Sequence, residues 1–289
     1  MWFTYALAFA VISSFSVIVA KKVMRDVDHF TYLLVVSILT APFLLAFAVI
    51  FFDVPSLDAV FWRATLTGTL ISVAGSLLVY KAIRESEISL VNPISAFNPV
   101  FTAIIAFFIL GEAIGFKGFL GIAVVVMGAY VLQISKSKRG LLEPIKALAK
   151  HKGVQLSFIA YFLWAITPSF EKTAILHTFP QNPSFAAFVG KTISIFLLAA
   201  VALKKSSTPF KKILLNWKLI LLDGVFGGVG IAVAFMAYSL APLGYATAIF
   251  KLSVIIVPIL GWKFFKEANV KERILGSVIM LTGVILLLI

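Results

Sequence analysis

Apolar residues come along this chain in long blocks separated by short polar and basic loops. Ten blocks are long enough to cross a roughly 30 Å hydrocarbon core at about 1.5 Å per residue. They are Trp2–Ala20, Phe30–Phe52, Val60–Ile83, Leu90–Leu110, Phe116–Ile134, Leu156–Leu176, Phe185–Leu203, Trp217–Leu240, Tyr245–Phe265 and Val270–Ile289. In lipid a backbone must satisfy its own hydrogen bonds, so each block predicts a helix. The expected fold is an all-α membrane protein of ten transmembrane helices.

Composition agrees with that solvent: 61% of the 289 residues are hydrophobic and 13% charged, against about a quarter charged in a soluble domain. The first block lacks a basic leader and a small-residue cleavage site, so it is expected to remain attached rather than act as a signal peptide. The net charge of +13 would suggest nucleic acid in a soluble protein, but here the basic residues sit in short loops between spans. That points to lipid headgroups and topology, with no nucleic-acid partner. There is no cysteine, and His29, His151 and His177 fall in or near connecting loops without metal or catalytic spacing. Neither a metal nor another cofactor is implied. An embedded enzyme would need Asp, Glu or His clustered at one face, and the loops offer only scattered charges.

The chain also repeats itself. "GEAIGFKGFLGIAVVVMGAYVLQI" and "KEANVKERILGSVIMLTGVILLLI" share the spacing E-x8-G-x6-G, so that Glu112, Gly121 and Gly128 match Glu267, Gly276 and Gly283 at an offset of 155 residues. At the same offset Gly75 falls on Gly230, Ala82 on Ala237 and Asn98 on Ser253. "SSFSVIVAKKV" and "WAITPSFEKTA" open the two copies with a similar look. The expected organisation is a first five-helix repeat over 1–135, a basic linker over 136–152 and a second five-helix repeat over 153–289.

Five is odd, so the second copy must enter the membrane the other way up. Loop charges test this independently. After the first to fourth helices, the first copy carries Lys21, Lys22 and Arg25, then Arg63, then Lys81 and Arg84, then Lys117. The second carries Lys172, then Lys204, Lys205, Lys211, Lys212 and Lys218, then nothing, then Lys266, Lys271 and Arg273. The basic side has swapped, as inverted-topology repeats require. With the basic linker included, the odd-numbered loops are cytoplasmic by the positive-inside rule and both termini lie outside.

Two five-helix halves, "SLVNPISAFNPVFTAIIAFFILGE" at the fourth helix and the E-x8-G-x6-G endings together resemble the EamA-domain branch of the drug/metabolite transporter superfamily. The resemblance covers essentially the whole chain. It implies a multi-pass carrier of a prokaryotic plasma membrane, a central site between the halves, alternating access, and export or uptake of a small-molecule metabolite. It also implies cytoplasmic termini, against the charge count, and the charges are followed here. The second copy departs from the first where "KLSVIIVP" stands in place of "FNPVFTAI", which displaces Pro258 from the position matching Pro99. Small multidrug exporters resembling half of this fold carry a glutamate in their first helix, and "WFTYALAFAVISSFSVIVA" has no acid. Cationic-drug exchange by that route is disfavoured.

In an inverted-repeat carrier the substrate is expected near the midplane, where helices are interrupted. "NPISAFNP" places Asn92 and Asn98 beside Pro93 and Pro99, which remove backbone donors and free carbonyls one turn earlier. The alternative is a mere kink. Lys251, matched by Ala96 in the other copy, lies within an apolar block, where a lysine costs about 2.5–3.5 kcal/mol and usually faces a cavity or a partner. Lys191 is a second such cation, with pairing to Glu171 or Asp223 as the alternative to binding. Trp164 and Tyr238 could line a cavity, because each needs a hydrogen-bond partner when buried. Glu112 and Glu267 read as architectural.

These residues suit a small polar solute, anionic or zwitterionic. "GxxxxGK[ST]" is absent, so energy comes from a gradient, with a proton as a possible coupling ion, or from an exchanged solute. The alternative function is flipping of a lipid or lipid-linked sugar. Reporter fusions within 136–152 are expected to read cytoplasmic and a fusion after Ile289 to read outside. A cytoplasmic signal from the latter overturns the charge reading.

Overall fold

The computed structural model describes residues 1–85, 92–134, 142, 145–146, 150–265 and 274–288. The helices are α1 (Trp2–Val23), α2 (His29–Phe51), α3 (Ala59–Glu85), α4 (Asn98–Leu110), α5 (Phe116–Ile134), α6 (Lys152–Leu176), α7 (Pro183–Lys205), α8 (Phe210–Leu215), α9 (Trp217–Leu240), α10 (Leu243–Phe250), α11 (Ser253–Phe265) and α12 (Ile274–Leu288). A 3₁₀ helix spans Asn92–Phe97, and two-residue strands β1 (Ser56–Leu57) and β2 (Thr178–Phe179) pair antiparallel. Among the described residues, six helices are long and apolar enough to cross a bilayer: α1, α2, α3 as Ala59–Val79, α6, α7 and α9. Shorter apolar stretches, Ile94–Leu110, Phe116–Leu132, Leu243–Val257 and Leu275–Leu288, occupy the other four expected positions. The fourth and ninth expected spans are not single helices: each is interrupted.

The chain forms two compact units, Met1–Val73 with Phe170–Leu240, and Ala74–Ser169 with Ala241–Ile289. Each therefore combines helices from both copies of the repeat.

In the first unit α2 packs on α7, its own counterpart in the repeat, and the two run antiparallel. Each helix starts with a side-chain cap, and each cap also holds the far end of the other helix. The Asp28 carboxylate accepts the N–H groups of Phe30 and Thr31 at 3.0 and 3.1 Å, satisfying donors that the helix start leaves orphaned. It also accepts the hydroxyls of Ser206 and Thr208, just past the end of α7. Asn182 caps α7 by accepting Phe185 N–H at 2.9 Å, while its amide donates to the carbonyls of Ala48 and Asp53 at the end of α2. Burial would push the Asp28 carboxyl up, but the bonds from Thr208, Thr31 and Ser206 outweigh it and hold it well below the usual carboxylate range.

The same unit sorts its loops. The turn after α1 meets the segment after α7 through Asp28, whereas the loop after α2 meets the loop after α6 through β1 and β2 and through the 2.7 Å contact of Asp58 with His177. Among the described residues of this unit, the first loop meets the seventh and the second meets the sixth. That is the grouping on which the charge argument depends.

In the second unit α5 packs on α12, again its counterpart and again antiparallel. A methyl at Gly128 would sit 2.5 Å from Met280 N and 2.7 Å from Gly276 O, and one at Gly283 would sit 2.5 Å from Val125 N and 2.9 Å from Gly121 O. Likewise Gly121 faces Leu287 and Gly276 faces Leu132. Every contact is the repeat-mate of another, since Val125 matches Met280 and Leu132 matches Leu287. The duplicated segment thus packs on itself about a local two-fold axis, backbone against backbone, as small residues permit in membranes. The repeat reappears in the contact of Gly75 with Trp164 in this unit and of Gly230 with Phe9 in the other.

Gly111 (φ 69°) ends α4 in the left-handed conformation, with Gly111 N–H on Phe107 O and Glu112 N–H on Ala106 O. The Glu112 carboxylate then accepts Leu243 N–H, the first of α10, at 2.7 Å. Its architectural role is therefore to cap a second helix. Glu267 lies outside the described residues.

Gly128→Ala is expected to destabilise the protein in detergent by about 1–3 kcal/mol, the usual cost of overpacking. Gly115→Ala, where nothing lies within 4 Å of an added methyl, is expected to leave the melting temperature unchanged. Equal melting temperatures for the two variants would remove the α5–α12 backbone contact as a determinant of stability.

Candidate functional site

The interruptions of the fourth and ninth spans fall at the same place in the repeat. α4 begins at Asn98 after the 3₁₀ helix, and α11 begins at Ser253, its repeat-mate, after the turn Lys251–Leu252. Pro99 sits in the first turn of α4, where its missing N–H costs nothing. Around Lys251 the bonds tighten to the i−3 pattern, with Lys251 N–H on Ala248 O at 3.1 Å, Leu252 N–H on Ile249 O at 3.0 Å and Val254 N–H on Lys251 O at 2.9 Å. Lys251 is thus the residue that closes α10. It is half-buried, and among the described residues its ammonium makes no hydrogen bond or ion pair.

Asn98 lies in the same unit, and its carboxamide N–H donates to the carbonyl of Tyr161 in α6 at 2.9 Å. Tyr161 is buried and meets Trp164 edge-on, 5.7 Å between ring centres at 61°. Asn98, Tyr161 and Trp164 therefore form one cluster, packed with Ala82, Ile94 and Val154. Half of the Asn98 amide serves α6, and its carbonyl oxygen is the end that a solute could use. Asn92 opens the 3₁₀ helix, and the role expected of its side chain lies outside the described residues.

Lys191 is in the other unit, within electrostatic reach of Glu171, and Glu171 is within reach of the Tyr238 hydroxyl. Glu171, Lys191 and Tyr238 come from α6, α7 and α9 at the end that carries β1 and β2. Of the two alternatives for Lys191, the structure provides the acidic neighbour. Asp223 is not that neighbour: its oxygens accept the hydroxyls of Ser16 and Tyr32. Sequence reasoning singled out Asp223 but missed these two donors, because nothing in "SSFSV" or "HFTYL" marks which hydroxyl turns toward a helix some 200 positions away. Among the described residues, no three His, Asp or Glu side chains converge as metal ligands would.

Duplicated apolar helices, antiparallel to their own copies, define an integral, multi-pass membrane protein. The EamA-like transporter family matches residues 1–134 and 151–289, one match to each copy, and the chain belongs to that family. A membrane transport role follows at that level. Among curated proteins, an uncharacterized protein of Methanocaldococcus jannaschii, MJ1333.1, is 30% identical over 70 residues, which is 24% of this chain and 51% of that protein. The match thus spans about half the length of this relative. A crystal structure of a protein 10% identical to this chain superposes with a TM-score of 0.78, covering 99% of this chain and 94% of the other, and so shares its fold.

Lys191→Ala strands Glu171 and is expected to lower stability by about 1–3 kcal/mol, with recovery in the Lys191→Ala, Glu171→Gln double variant. Lys251→Ala removes a charge with no described partner and is expected to keep or raise the melting temperature. Thermal unfolding in detergent reads both.

Proposed function

We propose that the protein is a secondary transporter that moves a small anionic or zwitterionic metabolite across a prokaryotic plasma membrane by alternating access through ten spans. Lys251 carries this reading. A lysine within an apolar segment costs about 2.5–3.5 kcal/mol on insertion scales, and stability gives no reason to keep one that has no acidic partner among the described residues. It stands at a helix interruption, where carriers bind solutes. Its counterpart in the duplicated scaffold is Ala96, buried and uncharged. The cation is therefore present in one copy of a break that both copies share.

Within this reading Lys251 receives the carboxylate or phosphate of the solute. The carbonyl oxygen of Asn98, with Trp164 and Asn92, supplies polar and aromatic contacts. In the other unit Lys191, within electrostatic reach of Glu171, and Tyr238 form a separate polar cluster. The sidedness that supports the reading has the odd-numbered loops cytoplasmic.

The test is uptake of labelled carboxylates, phosphates and amino acids into proteoliposomes, with and without a proton gradient. Wild type is expected to concentrate at least one of them, and Lys251→Ala to lose about tenfold or more of that rate while remaining folded, corresponding to loss of one charge-assisted contact. Movement of a fluorescent lipid between leaflets without uptake of any solute would replace this reading with that of a flippase.

A further inference from the structure

The first unit holds a carboxylate that the transporter reading does not use. Asp223 lies in α9, six residues from its start, and is 1% exposed. Its Oδ1 accepts the hydroxyl of Ser16 from α1, and its Oδ2 accepts the hydroxyl of Tyr32 from α2. Tyr32 belongs to an apolar cluster with Val19, Val23, Val27 and Ile220, against which Phe226 and Leu39 also pack. Beside the acid, Gly224 brings α9 against α2, where Thr40 donates to the Gly224 carbonyl. The carboxylate is buried where three helices meet.

Charge in this pocket is unbalanced. α9 packs against α1, α2 and α7. From α2 the titratable group facing Asp223 is Tyr32, and from α1 it is met by the neutral Ser16. The span-embedded cation of α7, Lys191, is engaged by Glu171, and Lys218 on α9 itself lies over the Trp217 ring. Among the described residues no Lys, Arg or His pairs with Asp223. Intramembrane acids without a cation mark ion or proton pathways. Here both oxygens already face O–H donors, whose hydrogens point inward. A metal ion would need lone pairs from several oxygens in that space. A proton needs none.

We infer that Asp223 is a reversible proton-binding site: one proton from the aqueous phase attaches to a carboxylate oxygen, the local charge goes from −1 to 0, and no electron moves. The hydroxyl that served that oxygen turns from donor to acceptor. This reorients Tyr32 or Ser16 and thereby couples protonation to the packing of α1 and α2 on α9. In the transporter reading this site supplies the coupling ion, but the titration stands apart from that reading.

Infrared difference spectroscopy of the protein in lipid, stepped between about pH 5 and 9, the range open to buried carboxyls, tests it without any solute. Wild type is expected to show a pH-dependent carboxylic-acid C=O band that Asp223→Asn abolishes. Tyr32→Phe removes a donor to the ionised form, which disfavours that form, so the band should persist to a pH about one to two units higher. Sodium at fixed pH should leave the band unchanged. Identical spectra for wild type and Asp223→Asn, or displacement of the band by sodium, would overturn the proposal. Should Asp223→Asn fail to fold, an unmoved midpoint in Tyr32→Phe would do the same. Failure of uptake in proteoliposomes, with the band intact, would count against the transporter reading alone.

Discussion

Two helices in lipid gain little by hiding apolar side chains from one another, because the acyl chains have hidden them already. What holds α5 to α12 is therefore the closeness of approach that Gly121, Gly128, Gly276 and Gly283 allow, with each backbone filling the space a methyl would have taken. The rest of the second unit is arranged around that pair. α5 also carries the 3₁₀ helix, α10 and α11 on its flanks, so the interrupted spans are positioned by the face of α5 that remains. Dispersion contacts of this kind are individually small and fall off steeply with distance. Four glycines at matched positions thus count for more than the many leucines around them.

A duplicated sequence that packs on itself gives reciprocal contacts at no extra cost in sequence. Gly75 on Trp164 and Gly230 on Phe9 are one contact made twice, and Asp28 and Asn182 are one clasp with two chemistries. Several of the differences between the copies are in charge. Ala96 stands opposite Lys251, Ser16 opposite Glu171, and Val36 opposite Lys191. The scaffold is duplicated and these polar groups are not.

Among the described residues, Lys191, Asp223 and Lys251 stand inside apolar helices in three different settings. Lys191 lies within electrostatic reach of Glu171, so each offsets part of the desolvation of the other. Asp223 is solvated by two hydroxyls, which stabilise an anion but leave its charge in place. Lys251 has neither arrangement among the described residues. The cost of each group therefore falls on stability to a different degree, and it is least balanced where a helix is broken.

The sequence alone determined the membrane and the duplication. Hydropathy and repeat spacing are local properties that survive without coordinates. It also marked the glycines, Glu112, Lys191 and Lys251 as unusual, with Asp223 as a candidate partner. Only the tertiary structure decided what each of them meets: that Glu112 caps α10, that Asn98 spends its N–H on Tyr161, that Lys191 has Glu171 and that Asp223 has Ser16 and Tyr32. It also decided that the break at Lys251 matches the break at Asn98, because Pro99 marks the first and no proline marks the second. Partner choice depends on helix rotation and depth, and a helix that is apolar all round carries no stripe from which its rotation could be read.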